Sequence, residues 1–203
     1  MVIIKRIERD KERKRQEIMD AAQKLFAKKG FKHVKMEEIA QKSEFTRKTL
    51  YSYFNNKEDL FLEVFIRISR QRWNFLVEEM KRVEDGLPRI QAFGEANYKY
   101  TITNSEHFKM IVYLDHYGMD FGIVNNKLQN EILEAREEIF LLLQTAYKKG
   151  QQDGTIRADL DIDRNQLYLG LSLRTMLNEI VLGYQDREFY FGFLELFLDS
   201  IKA

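Results

Sequence analysis

Ile18, Ala21, Ala22, Leu25 and Phe26 recur at i, i+3, i+4, i+7 and i+8, which is one face of an amphipathic helix. Gly30 follows; a left-handed glycine there ends the helix, and Phe31 can fold back onto its last turn. Met36, Ile39 and Ala40 make a second, short apolar face. A polar-rich break, Gln41 to Glu44, precedes Phe45. Thr46 is placed to N-cap a third helix whose Leu50 and Phe54 face inward. Asn55 and Asn56 break that helix, and Asn56 with Asp59 three positions on reads as the cap of a fourth. In the fourth, Leu60, Phe61, Val64, Phe65 and Ile68 hold the 3.6 period, and Trp73, Leu76 and Met80 extend it to a stop at Gly86, Leu87 and Pro88. Further helices are predicted near 88–103, 105–117 and 126–149, with Gly118 and Gly122 punctuating the middle of this region and Gly150, Asp153 and Gly154 making a loop. Asp161 or Asp163 caps the next helix, which runs to about Leu182 and is closed by Gly183. The last helix, roughly 187–202, is apolar nearly all round, so it must be buried on more than one side.

The pattern predicts an all-α fold, and composition narrows the classes further. The 203 residues include one Pro and no Cys. Without Cys there are no disulfides, thiol nucleophiles or cysteine-ligated metals, and a reducing cytoplasm suits the chain. No apolar run reaches the roughly 18 to 20 residues of a membrane span, and the N-terminus has no secretory apolar segment, so no membrane partner is expected. Charge is uneven. Residues 1–57 carry 16 Lys/Arg against 8 Asp/Glu, a net of +8; the remainder carries 17 against 24, a net of −7. A basic head on an acidic body suggests that the head meets a polyanion.

Three short helices in about 45 residues, the last two joined by a tight turn, describe a helix-turn-helix head. Thr46, Arg47, Lys48 and Thr49 open the third helix and combine base-edge donors with a methyl group for thymine. Tyr51, Tyr53 and Lys57 can donate to phosphates. The arm before them holds Lys5, Arg6, Arg9, Lys11, Arg13, Lys14 and Arg15, alternating with Glu8, Asp10 and Glu12. It reads either as a groove or backbone contact or as an extension of the first helix through i,i+4 pairs.

Residues 15–60 resemble the DNA-binding head of TetR-type (tetracycline-repressor-like) transcriptional regulators. The matching features are AAxxLFxxxGF, then MEEIA, then TRKTLYxYFxNKEDL, in order and at the right spacings. The resemblance implies a head at 1–56 and a helical effector-binding and dimerisation body at 57–203. It also implies a cytoplasmic homodimer on a near-palindromic duplex operator, most often a repressor, released by a small apolar or aromatic effector without a cofactor. Two residues depart from the family. Ser43-Glu44-Phe45 stands where a glycine-centred turn is usual. Lys35 stands where a Thr often caps the second helix and touches phosphate; it gives up the cap and keeps a cation for the phosphate.

In the body, aromatic residues are core by default, and the resemblance implies that some line a pocket. Trp73, Tyr113, His116 and Tyr117 are the candidate ligand-binding residues. Met176, Leu177, Ile180, Phe193, Leu194 and Phe197 are the candidate dimer interface, since the last helix carries more apolar surface than one body can cover. Asp115, His116 and Asp120 offer at most half a metal site, with no third ligand evident, so neither metal nor catalytic residues are assigned. A helical enzyme using that cluster and a helical adaptor without a ligand are the two rival readings.

Overall fold

The computed structural model describes the backbone of residues 2–117 and 126–203; the side chains of 2–5, 113–117, 126–133, 135 and 136 lie outside the description. Gly118, Asp120 and Gly122 fall outside the described residues. Among those described there are nine α-helices: α1 (Val2–Lys29), α2 (Met36–Lys42), α3 (Arg47–Tyr53), α4 (Lys57–Lys81), α5 (Leu87–Thr103), α6 (Ser105–Tyr117), α7 (Asn126–Asp153), α8 (Ile162–Val181) and α9 (Arg187–Ile201). A 3-10 turn, Phe31–His33, follows α1. The basic arm extends α1 back to Val2, with the Arg13–Glu17 ion pair and a Gln16–Glu12 hydrogen bond at i,i+4 spacing. No described helix is long and apolar enough to cross a membrane.

The chain forms two compact units. One comprises Met1–Ile68 and Met110–Gln129, the other Ser69–Lys109 and Asn130–Ala203. The core of the first is built from the predicted stripes: Ile18, Ala22 and Phe26 of α1 meet Ile39, Leu50, Phe54, Leu60, Phe61 and Val64. Gly30 takes φ 75°, and the chain turns back so that the Phe31 ring lies 5.9 Å from Phe26 and 4.9 Å from Phe61. Arg67 joins α4 to α1 by donating to Gln16, Asp20 and Gln23, and Arg15 pairs with Glu63 beside it. Asn56 caps α4 by accepting from Asp59 N at 2.7 Å.

Between α2 and α3 the chain reverses at Glu44, whose φ of 59° is the one positive value at a non-glycine residue among those described. Phe45 N donates to Ala40 O and Ser43 Oγ donates to Ile39 O, closing the end of α2. The side chain of Glu44 is exposed, so no packing offsets a left-handed cost of ~1 kcal/mol. Glu44→Gly is expected to stabilise the protein by ~1 kcal/mol, raising the melting midpoint by roughly 2–4 °C. A midpoint that stays put or falls would show that Glu44 is held by a favourable interaction of its own.

In the second unit α5 packs against α8 and α9, and α8 against α9. At Gly94 the helices α5 and α9 come close: a Cβ there would lie 2.6 Å from the Leu194 side chain. The backbone carbonyl of Gly94 also accepts from the Tyr190 hydroxyl at 2.8 Å. Asp161, rather than Asp163, caps α8, and Gly183 at φ 80° ends it. Tyr100, Tyr147 and Tyr190 are buried in this unit. Burial pushes the Tyr100 hydroxyl up to about 12 against the smaller opposing effect of Arg72, and it raises Tyr147 and Tyr190 as well. In the unfolded chain these hydroxyls ionise near 10. The folded chain thus keeps protons that the unfolded chain releases. Their contribution to stability is full below pH ~10 and is lost as pH rises toward and through about 12. Thermal melts at rising pH should show the midpoint falling beyond pH ~10; a midpoint unchanged to pH ~12 would contradict this account.

Candidate nucleic-acid interface and body cavity

The recognition-type helix α3 is held by its apolar side. Leu50 and Phe54 are fully buried, which fixes Arg47, Lys48 and Tyr51 outward. Thr46 caps the helix: its Oγ1 accepts from Thr49 N at 3.1 Å and lies 2.9 Å from Thr49 Oγ1. Arg47 Nη2 is 2.7 Å from Glu37 Oε1 on α2, with both side chains largely in solvent. Tyr51 is 47% exposed, whereas Tyr53 is half-buried against the core. Lys35 occupies the N-cap position of α2, exposed, and forms no side-chain cap bond.

Lys57 sits differently from its neighbours. Its Nζ donates to Phe31 O and Val34 O, each at 3.0 Å, and lies 4.2 Å from the centre of the Phe31 ring. Two of its three donors thus tie the 3-10 turn and the residue after it to the start of α4. Glu37 went unnoticed in the sequence, where it is one acidic residue in MEEIA; only the fold brings it to Arg47.

The second unit holds a cavity of about 640 Å³. Its walls come from α4 (Arg72, Trp73, Leu76), α5 (Phe93, Asn97), α7 (Glu137, Ile139, Phe140, Leu143) and α8 (Gln166, Leu167, Leu171, Arg174 among others). Trp73, expected to bind ligand, is in this wall. Tyr113, His116 and Tyr117 fall on α6, and their side chains lie outside the described set, as does that of Asp115. No group of three metal-ligating side chains occurs among the described residues. Sequence reading missed the polar lining. Arg72 donates to Asn97 Oδ1, and Asn97 Nδ2 donates to Phe93 O at 2.7 Å. Asn97 and Gln166 both stand in apolar stripes, Gln166 in line with Leu169, Leu173 and Leu177; a polar residue on a buried stripe was the available signal.

The candidate interface residues divide. Leu177 and Leu194 are buried within one chain, Leu194 against Gly94, whereas Met176, Ile180, Phe193 and Phe197 remain part-exposed. Tyr168, Leu182, Tyr184, Phe189 and Leu196 add exposed apolar surface on or beside the same two helices, with Leu196 71% exposed.

Residues 18–64, which span the three head helices and the start of α4, match the family described as bacterial regulatory proteins, tetR family. The head at residues 18–64 belongs to the TetR family. This is a family of transcription regulators and not of enzymes, and the TetR head is the DNA-binding helix-turn-helix. The chain is also similar to the fatty acid metabolism regulator protein of Bacillus subtilis (strain 168), 28% identical over 162 residues, covering 76% of each chain. Among solved structures, it resembles a TetR family transcription regulator from Marinobacter aquaeolei VT8, with a TM-score of 0.72 at 18% identity over 98% of this chain and 99% of that one. A further match is FadR from Bacillus subtilis in complex with stearoyl-CoA, with a TM-score of 0.71 at 21% identity over 92% of this chain and 98% of that one. The described residues share the fold of these structures, an N-terminal helix-turn-helix domain and a helical body.

Proposed function

We propose that this TetR protein is a cytoplasmic, ligand-responsive repressor that binds a near-palindromic operator as a homodimer and is released by a small, largely apolar effector. The observation that carries the reading is the pairing of an outward Arg47, Lys48 and Tyr51 on α3 with an apolar-walled cavity in the same chain. In this reading residues 1–56 bind DNA and residues 57–203 bind the effector and the second copy. Arg47, with Thr46, Lys48 and Thr49, faces the base edges, while Lys35, Tyr51, Tyr53 and Lys57 hold phosphates. The part-exposed apolar face of α8 and α9 meets its mate across a twofold axis, giving two heads for two half-sites about one DNA turn apart or a multiple of it.

The effector favours a conformation whose heads no longer match that spacing, so effector and operator oppose each other, commonly by ~1–3 kcal/mol. The α4 helix, unbroken from Lys57 to Lys81, belongs to the head at one end and lines the cavity with Arg72, Trp73 and Leu76 at the other. It is the natural lever. The similarity to a fatty acid metabolism regulator, and to a FadR structure holding stearoyl-CoA, supports an apolar effector. Selection from a random duplex pool tests the head: the recovered sequences should share two inverted half-sites. A pool that shows no enrichment, or a single unpaired half-site, would overturn the symmetric reading.

A further inference from the structure

Gln166 stands where α8 otherwise places leucine. Leu169, Leu173 and Leu177 continue its stripe into the core, and Gln166 is itself only 5% exposed. Neither Nε2 nor Oε1 of its amide has a hydrogen-bond partner among the described residues. Native proteins pair nearly all such groups, because an amide buried without a partner loses its bonds to water and gains none. Asn97, the other buried amide in the cavity wall, shows the usual solution: its oxygen accepts from Arg72 and its nitrogen donates to Phe93 O. Gln166 lines the same cavity of about 640 Å³ with a donor nitrogen and an acceptor oxygen that have no partner among the described residues.

We propose that Gln166 is the specificity-determining polar residue of the effector cavity, and that it selects apolar molecules carrying a group that both donates and accepts a hydrogen bond, an amide or a hydroxyl. The inference rests on the effector reading of this cavity. An ester only accepts, so it satisfies the N–H of Gln166 and leaves the oxygen unmatched. A carboxylate also only accepts, but Arg72 and Arg174 in the cavity wall would attract its charge. The carboxylate therefore separates recognition by the arginines from recognition by the amide. The apolar walls of Leu76, Phe93, Ile139 and Leu143 take the chain.

Trp73 is the single tryptophan of the chain and lies in the cavity wall, so its emission reports occupancy. The full-length protein and Gln166→Met are titrated with dodecanamide, dodecanol, methyl dodecanoate and dodecanoate, following Trp73 emission and the thermal midpoint. The native protein should bind the amide and the alcohol roughly tenfold or more tighter than the ester. Gln166→Met should erase that difference and, without ligand, melt a few degrees higher (about 2–4 °C), because the unmatched amide is gone. Equal binding of ester and amide by the native protein, or a preference that survives in Gln166→Met, would overturn the role of Gln166. Tightest binding of dodecanoate by both proteins would do the same and assign recognition to the arginines. If none of the four changes either signal, the effector reading of the cavity falls, and this inference with it.

Discussion

Leu196→Glu and Phe197→Glu are each expected to convert the protein to a folded monomer that binds operator roughly 10²–10⁴-fold more weakly. A single chain leaves apolar surface uncovered on α8 and α9. On α9, Leu196 and Phe189 are exposed, and Phe193 and Phe197 are part-exposed. Tyr168 on α8 and Leu182 and Tyr184 just beyond it add to this surface, with Met176 and Ile180 part-exposed along α8. Soluble proteins avoid leaving large contiguous apolar patches in water. At ~25 cal/mol per Å², several hundred Å² of further apolar burial gives a gross drive of ~10 kcal/mol, before the cost of association. A glutamate at the centre of that face brings an unpaired charge into the interface, while its own chain keeps its core. Leu194→Glu is the instructive contrast. Leu194 is buried against Gly94, so its replacement should unfold the body as well as separate the copies. Sedimentation at micromolar concentration should show the native protein at twice 24.4 kDa and Leu196→Glu at 24.4 kDa with unchanged helicity. A native monomer would mean that this apolar face has another use.

Arg47→Ala is expected to cost ~1–3 kcal/mol of operator binding and to relax preference at one base position in each half-site. Arg47 lies at the start of α3 with most of its side chain in solvent, 2.7 Å from the Glu37 carboxylate. An exposed pair of this kind contributes little to stability, so the variant should fold as the native protein does. The pair can hold the guanidinium plane in place for a base edge. Lys35→Ala, at the exposed start of α2, should weaken all duplexes alike and lower the salt slope by about one unit. If Arg47→Ala also weakens random duplex to the same extent as operator, Arg47 is a phosphate contact and the base reader lies elsewhere on α3.

The head was legible in the sequence because local rules determine it. Apolar spacing in 18–26, Gly30, the Thr46 cap and the Asn56 cap each dictate a local conformation that needs no distant partner, and each appears where expected. Glu44 was legible as a departure, and the backbone does take the left-handed turn there. The body was legible as helices but not as a site. Which side of α9 faces inward depends on Gly94 letting Leu194 approach, a long-range contact that periodicity does not encode, because the helix is apolar on nearly every side. For the same reason Leu194 and Leu177 could not be told from Phe193 and Phe197 by pattern. The cavity's polar residues escaped notice because Arg72, Asn97 and Gln166 come from three helices far apart in sequence. Lys57 reads in sequence as a phosphate contact, whereas in the fold its first commitment is to two carbonyl oxygens.

The most direct test of the account is a titration of the full-length protein against duplex from its own upstream region and against random-sequence duplex of equal length, at several salt concentrations. Two protomers should bind each upstream duplex, with a preference over random duplex of at least ~10³-fold at physiological salt. Both affinities should fall steeply as salt rises. Equal affinity for the two duplexes at every salt concentration, or no binding to either, would contradict it.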